Sequence, residues 1–128
     1  MIRALVLTHG RLGESLVEVV ELLLGPTDGL VHLSNRGLSG EQFAASVAAW
    51  LEQEEGPSLL LVDDRGGSCA TAARIAGRRR RDVRIVCGVN LAMLLAYTTW
   101  RESQELPDLV RRLVNAGRDA IVEVGTEP

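Results

Sequence analysis

The chain has 128 residues, a formal net charge of −3, 46% hydrophobic residues and 3% aromatic residues, so we expect a single domain over residues 1–128 with an aliphatic core. The acidic balance and the shortage of aromatic rings argue against a nucleic-acid-binding protein, which usually presents a basic face. No stretch approaches the roughly 20 apolar residues of a membrane span, and no signal-peptide pattern opens the chain, so we expect a cytoplasmic protein without a membrane-inserted segment.

Apolar strands alternate with helical patterns along the chain. The predicted strands are Ile2 to Leu7, Leu30 to Leu33, Leu59 to Val62 and Val83 to Cys87, with a last apolar run at Ala120 to Val124. The predicted helices are 12–24, Ser39 to about Glu54, Ala70 to Gly77, Leu91 to Ser103, and Pro107 to Ala116. This alternation predicts an α/β fold: a doubly wound, four-stranded, mainly parallel sheet with helices on both faces.

Helix details follow from spacing and from end signals. The apolar stripe of the first helix is predicted at Leu12, Leu16, Val19, Val20 and Leu23. Gly25-Pro26 ends that helix, and Gly117 is expected to cap the last one.

Three turns after parallel strands bring polar residues to one edge of the predicted sheet. They place His9, Asp63, Ser68 and Asn90 where ligands bind in open α/β sheets. A carboxylate beside a histidine fixes its tautomer and makes the other ring nitrogen more nucleophilic. His9 is therefore a candidate general base, metal ligand or nucleophile, and the alternative is a surface histidine without a task.

The Gly66-Gly67-Ser68 turn precedes a helix and favours an anion. Glycines let a ligand approach the backbone, and free N–H groups at a helix start attract phosphate. The turn is neither a P-loop nor GxGxxG, so no nucleotide is implied. Ser68 could equally cap the helix, and for Asn90 we favour that role for the fourth helix.

Three motifs together resemble one protein family. They are THG after the first strand, LVDDRGGSCATAARI at residues 61–75 and CGVNLAMLLAY at residues 87–97. Their order and spacing are similar to the IIA domain of the mannose-family sugar phosphotransferase system from residue 2 to about residue 125.

This resemblance implies a function and its residues. His9 would be the phosphoryl carrier, loaded by phospho-HPr and unloaded by a IIB component, with Asp63 holding the ring and Gly67 and Ser68 cradling the phosphate. It also implies a homodimer in which the short strand at Ala120 to Val124 is exchanged between subunits. No cofactor or metal is expected.

Two positions depart from the family pattern at the expected rim of the site. Arg65 stands where an aromatic or apolar residue is usual, and Cys69 where a proline is usual, so partner choice is the property most affected. Neither Cys69 nor Cys87 has metal-ligand spacing, so both are expected to be reduced thiols. The run Arg78 to Arg81 is expected to be a solvated helix end.

Two other functions use the same histidine. A regulatory module would change its affinity for a partner when His9 is phosphorylated, without sugar transport. A hydrolase would use His9 as a general base, but no serine or cysteine nucleophile is clearly paired with it in the sequence. Neither the sugar nor the acceptor protein can be named from the residues.

Overall fold

The computed structural model describes residues 1–127, so the predicted domain extends one residue, Pro128, beyond the described part. Within that part the strands are β1 (Arg3–Thr8), β2 (Leu30–Ser34), β3 (Ser58–Val62) and β4 (Val83–Cys87). The helices are α1 (Leu12–Leu24), α2 (Gly40–Glu52), α3 (Ser68–Gly77), α4 (Leu91–Trp100) and α5 (Leu106–Asp119). The predicted alternation of strands and helices is confirmed.

The sheet is parallel throughout, in the order β2-β1-β3-β4. β1 lies between β2 and β3 and is buried along its whole length. Such a strand needs apolar side chains on both faces, which explains its continuous apolar run. The strand order reverses between β1 and β3, so their carboxyl ends form the crevice in which ligands bind.

Alternate residues of the central strands feed two separate cores. Ala4 and Val6 of β1 pack towards α1, α4 and α5, together with Leu59 and Leu61 of β3. The residues between them on each strand, such as Leu5, pack towards α2 and α3. The result is the predicted layer of helices on each face of the sheet, with β1 and β3 held rigidly in the middle.

The α1 stripe predicted from spacing is confirmed at Val20, which is buried, and at Leu16, which packs partly buried against the core, and it is wrong at the other positions. Leu12 and Leu23 are exposed, and the buried residues of α1 are Gly13, Val17 and Val20. Thr8 sets this rotation, because its hydroxyl oxygen accepts a hydrogen bond of 2.8 Å from the Gly13 N–H. A side chain at position 13 would crowd Thr8, so the helix turns its glycine inwards.

Several predicted helix ends are confirmed and others are wrong. Ser39 and Gln42 form a reciprocal capping box, and Gly25 ends α1 with a positive φ of 85°. Gly117 does not cap α5, which continues to Asp119 and buries Gly117 inside it. A Cβ there would lie 3.2 Å from the Met93 terminal methyl carbon, so the glycine permits close packing of α5 on α4.

The last apolar run forms no strand in the described single chain. Ala120 closes α5, and the following residues have no regular structure. Ile121, Val122 and Val124 are 80%, 67% and 77% exposed. The exchange of this segment with a partner subunit therefore stays a prediction.

Two arginines hold the connection from α2 to β3. They lie at the edge of the sheet where the strands begin. Buried Arg3 stacks on Trp50 and donates to the carbonyl oxygens of Trp50 and Glu54. Arg80 pairs with Asp82 and donates to the carbonyl oxygen of Gly56 at 2.9 Å. The prediction that the run of four arginines is a solvated helix end is therefore wrong for Arg80, which is half-buried and holds the fold together.

No helix among residues 1–127 combines the length and the apolar character needed to cross a bilayer.

Candidate active site

His9 is the first residue after β1 and lies at the carboxyl edge of the sheet, as predicted. Its side chain is 53% exposed, although β1 itself is buried. Gly10 turns the chain away immediately with a φ of 54°, a value that a side chain disfavours. The imidazole is therefore held by a rigid strand while one of its edges is open to solvent.

Asp63 holds His9 through two hydrogen bonds to one oxygen. Its Oδ2 accepts from the His9 backbone N–H at 2.9 Å and lies 2.7 Å from His9 Nδ1. The other oxygen, Oδ1, accepts from the Asp64 N–H at 2.8 Å. The predicted contact between His9 and Asp63 is thus present, and it fixes both the ring and the backbone that carries it.

The Asp63 carboxyl is kept ionised by these donors. Burial is the largest single influence and favours the protonated form. The hydrogen bonds from the His9 backbone, the His9 ring and the Asp64 backbone together outweigh burial. They hold the pKa of Asp63 below its ordinary value. An ionised carboxylate can only accept, so Nδ1 must carry the ring proton and Nε2 keeps a free lone pair in the neutral imidazole.

The free nitrogen lies beside the start of α3. Ser68 Oγ is 3.3 Å from His9 Nε2. Ser68 is not the N-cap, as one of its predicted roles required, because Gly67 occupies that position and no side chain caps the helix. The Ser68 hydroxyl is therefore available to the histidine and to any group bound to it.

The first turn of α3 presents backbone N–H groups that have no partner within the helix. The first bond across the helix start runs from the Thr71 N–H to the Gly67 carbonyl oxygen at 3.4 Å. Gly67 also passes close to the ring: a Cβ there would lie 3.2 Å from His9 Cε1. Glycine at this position lets the helix start approach the histidine, a contact that the sequence analysis did not predict.

Sequence analysis missed Asn35, which follows β2. Its amide Nδ2 donates to Ser68 Oγ at 3.4 Å. Donation into the hydroxyl oxygen leaves the Ser68 O–H free to point at Nε2 or at a bound anion. A polar residue directly after a strand of the same parallel sheet was the available signal.

Cys69 is not at the rim, where the sequence placed it. Its side chain is fully buried, and its Sγ lies 3.7 Å from His9 Nδ1. Burial, with the nearby negative charge of Asp63, raises the pKa of the Cys69 thiol to about 11. The thiol is therefore protonated at neutral pH and lies behind the histidine rather than at the entrance.

Asn90 and Arg65 have other surroundings than the histidine. Asn90 caps α4, as we favoured, through a 3.0 Å bond from the Met93 N–H, and its amide donates to the Gly117 carbonyl oxygen. Arg65 is exposed and lines a groove of about 530 Å³ with Cys87 of the edge strand β4. Of the residues expected to converge, the structure brings together His9, Asp63, Gly67 and Ser68.

This geometry suits attack by Nε2 on an electrophilic group that carries anionic oxygens once it is bound to the ring. The carboxylate behind the ring can stabilise the positive charge that the imidazole gains. The helix start and the Ser68 hydroxyl can receive anionic oxygens in front of it. A phosphoryl group meets both requirements.

The family model described as PTS system fructose IIA component matches residues 3–114 of the chain. The chain belongs to the mannose family of phosphotransferase-system IIA domains. This membership confirms the family indicated by the three sequence motifs.

Among curated relatives, the IIA domain is similar to the PTS system mannose-specific EIIAB component of Escherichia coli strain K12. The two are 29% identical in an alignment of 127 residues that covers 94% of this chain but 39% of that protein. The IIA domain thus spans well under half of the relative that it matches. The match therefore concerns only this part of the relative.

Solved structures confirm the fold of the IIA domain. Phosphotransferase system component EIIA from Streptococcus agalactiae superposes with a TM-score of 0.90 at 22% identity and covers 96% of this chain and 97% of its own. The mannose/sorbose-specific IIA subunit from Enterococcus faecalis gives 0.89 at 23% identity, over 98% and 96% of the two chains. At these identities the likeness establishes the architecture alone.

Proposed function

We propose that this IIA domain is a phosphohistidine carrier: His9 accepts a phosphoryl group from phospho-HPr and passes it to a IIB component. The observation that supports this most directly is the 2.7 Å contact between His9 Nδ1 and Asp63 Oδ2. It commits Nδ1 to the carboxylate and leaves Nε2 as the nucleophile, beside the start of α3.

The transfer step is a displacement at phosphorus. The Nε2 lone pair forms the new N–P bond while the N–P bond of the donor histidine breaks, and its electron pair returns to the donor ring. No proton has to leave Nε2, because that nitrogen carries none. Donor and acceptor bonds are of the same kind, so positioning and charge stabilisation are what the domain supplies.

Three groups of the site have separate tasks in this step. Asp63 faces the ring that becomes positively charged. Ser68 and the N–H groups of the first turn of α3 receive the phosphoryl oxygens. Gly67 keeps the helix start close enough to do so, since a Cβ would contact the His9 ring.

The IIB acceptor is proposed from the family and from the relative's length. The E. coli protein is named an EIIAB component, and the present chain matches 39% of it. A IIB component would supply the function that the remainder of such a protein carries. A regulatory module would use the same histidine, and no observation on the chain favours it.

We also propose that the domain is a homodimer. Ile121, Val122 and Val124 are exposed, and Ile121 lines the groove beside the edge strand β4. An open strand edge with an apolar groove beside it invites an added strand. Sedimentation should show a dimer that becomes a monomer when residues 121–128 are deleted; a monomeric full chain would contradict this.

Labelling tests the carrier function. The protein is incubated with phosphoenolpyruvate, the general phosphotransferase enzyme and HPr from the same source, and its intact mass is measured under alkaline conditions that preserve phosphohistidine. Wild type should gain one phosphoryl group and lose it when a IIB component is added. His9→Ala should gain none.

His32→Ala is the matched control, because His32 is the other histidine and is exposed on β2. It should be labelled like wild type. Equal labelling of His9→Ala and wild type, or no labelling of wild type, would refute the carrier function.

A further inference from the structure

Three side chains with different metal-binding atoms meet on the Nδ1 side of the His9 ring. His9 Nδ1, an Asp63 carboxylate oxygen and Cys69 Sγ all lie within 4.8 Å of one another. They come from the end of β1, the end of β3 and the first turn of α3. Nothing in the sequence spacing indicates this cluster, because the residues are brought together only by the parallel sheet.

We propose that this cluster binds Zn²⁺, and that bound Zn²⁺ prevents His9 from accepting a phosphoryl group; the second part rests on the proposed function. Imidazole nitrogen, thiolate sulfur and carboxylate oxygen are the three ligand types that zinc takes in proteins. Mg²⁺ and Ca²⁺ prefer oxygen ligands and do not match this set.

The Nδ1–Sγ distance is already close to the one that zinc requires, whereas the Nδ1–Oδ2 distance is too short. Tetrahedral geometry with ordinary Zn–N and Zn–S lengths places the two atoms about 3.6 Å apart, and Nδ1 and Sγ are 3.7 Å apart. The Nδ1–Oδ2 distance of 2.7 Å must open by about 0.7 Å. The His9 side chain can make that movement because it is 53% exposed, and a water molecule would complete the four-coordinate site.

Zinc at this position would change the chemistry of the opposite ring nitrogen. Binding needs the lone pair of Nδ1, so the single proton of the neutral imidazole must reside on Nε2. The Cys69 thiol gives up its proton to solvent, and Asp63 becomes a ligand in place of a hydrogen-bond acceptor. Nε2, the nitrogen proposed to attack phosphorus, is then an N–H without a lone pair to donate.

Zinc binding is measured first, without phosphoryl transfer. The chain is titrated with ZnCl₂ in competition with a chromophoric chelator, and one ion should bind per chain. Cys69→Ala should weaken binding by more than about 10- to 100-fold, the loss caused by removing only an outer-shell partner of a metal site. Cys69→Ser, which keeps the side chain's size, should show a similar loss.

Two matched variants exclude the other candidate ligands. Cys87→Ala removes the other cysteine and His32→Ala the other histidine, and both should bind zinc like wild type. With Co²⁺ in place of Zn²⁺, a thiolate-to-cobalt charge-transfer band should be present in wild type and Cys87→Ala and absent in Cys69→Ala. Equal zinc affinity in wild type and Cys69→Ala, or loss of the band in Cys87→Ala, would refute the site.

The blocking effect is then tested with preformed phospho-HPr as donor. The rate of phosphoryl acceptance by wild type should fall as zinc occupies the site and recover when a chelator is added, whereas Mg²⁺ should have no such effect. Zinc that binds without slowing transfer would refute the block. A chain that binds zinc at Cys69 but accepts no phosphate even with a chelator present would refute the proposed function and leave the metal site standing.

Discussion

Two helices begin at the same edge of the sheet and treat their first N–H groups differently. At α4, the Asn90 side chain caps the helix by accepting from the Met93 N–H. At α3, the N-cap is Gly67 and no side chain caps the helix. Glycine at the N-cap costs only about a few tenths of a kcal/mol relative to a capping side chain, so α3 keeps its N–H groups available beside His9 with little loss of stability.

The start of α4 serves the packing of the fold, whereas the start of α3 is available for the proposed phosphoryl transfer. Asn90 joins α4 to α5, because its amide also donates to the Gly117 carbonyl oxygen. Ser68 makes no such bond to its own helix start and faces His9 Nε2 instead. Substitutions at α3 should therefore change phosphoryl transfer, and those at α4 should change stability.

The largest effect is expected from Asp63→Asn. Asparagine keeps the size, but its amide can donate to Nδ1 and drive the ring proton onto Nε2. We expect phosphoryl acceptance from phospho-HPr to slow roughly 100-fold, within the range of positioned proton-transfer partners. Rapid-quench measurement of the phosphorylated protein gives the rate.

Asp64→Asn is the control, since Asp64 is the exposed neighbouring carboxylate. It should keep a rate close to that of wild type. An equal loss in the two variants would indicate that general negative charge, rather than the contact with Nδ1, supports transfer.

The next effect in size is expected from Gly67→Ala. The new Cβ would lie 3.2 Å from His9 Cε1, so either the ring or the helix start must shift. We expect transfer to slow roughly tenfold, because displacement of a positioned group by a fraction of an ångström is costly. The same kinetics on Gly66→Ala, where the nearest atom is 3.9 Å away, should match wild type.

Ser68→Ala and Asn90→Ala should have opposite signatures. Asn90→Ala should lower the free energy of unfolding by about 1–2 kcal/mol through the lost cap and amide bond and leave transfer unchanged. Ser68→Ala should slow transfer severalfold and change stability by less than about 0.5 kcal/mol. Urea denaturation and transfer kinetics measured on both proteins test this. A stability loss in Ser68→Ala as large as in Asn90→Ala would contradict the assignment of α3 to transfer and α4 to stability.

A smaller effect should appear in the pH dependence of stability. The folded pKa of Asp63 is lowered, so its contribution is fully present above the unfolded value near 3.9 and is lost as pH falls through the folded value. The difference in unfolding free energy between wild type and Asp63→Asn should be constant from pH 7 to about 5 and shrink below about 4. A difference that grows in acid would mean that the carboxyl is not stabilised by His9.

The smallest effect is expected at Arg65, in the turn before α3. Its charge is exposed, so it should attract an acidic partner surface or an incoming phosphate at long range and be screened by salt. Arg65→Gln should lower the transfer rate at low ionic strength and converge with wild type at high salt. Parallel salt profiles for the two proteins would remove Arg65 from partner attraction.

The sheet and the contact between His9 and Asp63 were predictable because they depend on strong, local signals. Buried parallel strands are continuous apolar runs, and the carboxyl ends of such strands meet at one edge. Placing His9 and Asp63 directly after two such runs was enough to bring them together. The resemblance to the mannose-family IIA domain added their roles, which stay proposals.

What failed depended on contacts that a sequence does not display. The inward position of Gly13 on α1 is fixed by the bond from its N–H to Thr8, which the spacing of apolar residues does not display. The burial of Cys69 follows from the direction in which α3 leaves the Gly67 turn. Asn35 reaches Ser68 across the sheet, a contact between residues far apart in sequence.

Arg3 and Arg80, at the edge of the sheet opposite His9, affect how easily the chain opens locally. The loop between α2 and β3 contains Gly56-Pro57 and would ordinarily be an early place for backbone opening and proteolytic attack. Arg3 and Arg80 hold its carbonyl oxygens from two sides, through Glu54 and Gly56. Opening the loop requires both guanidinium groups to release it, so cleavage there should report global unfolding rather than fraying.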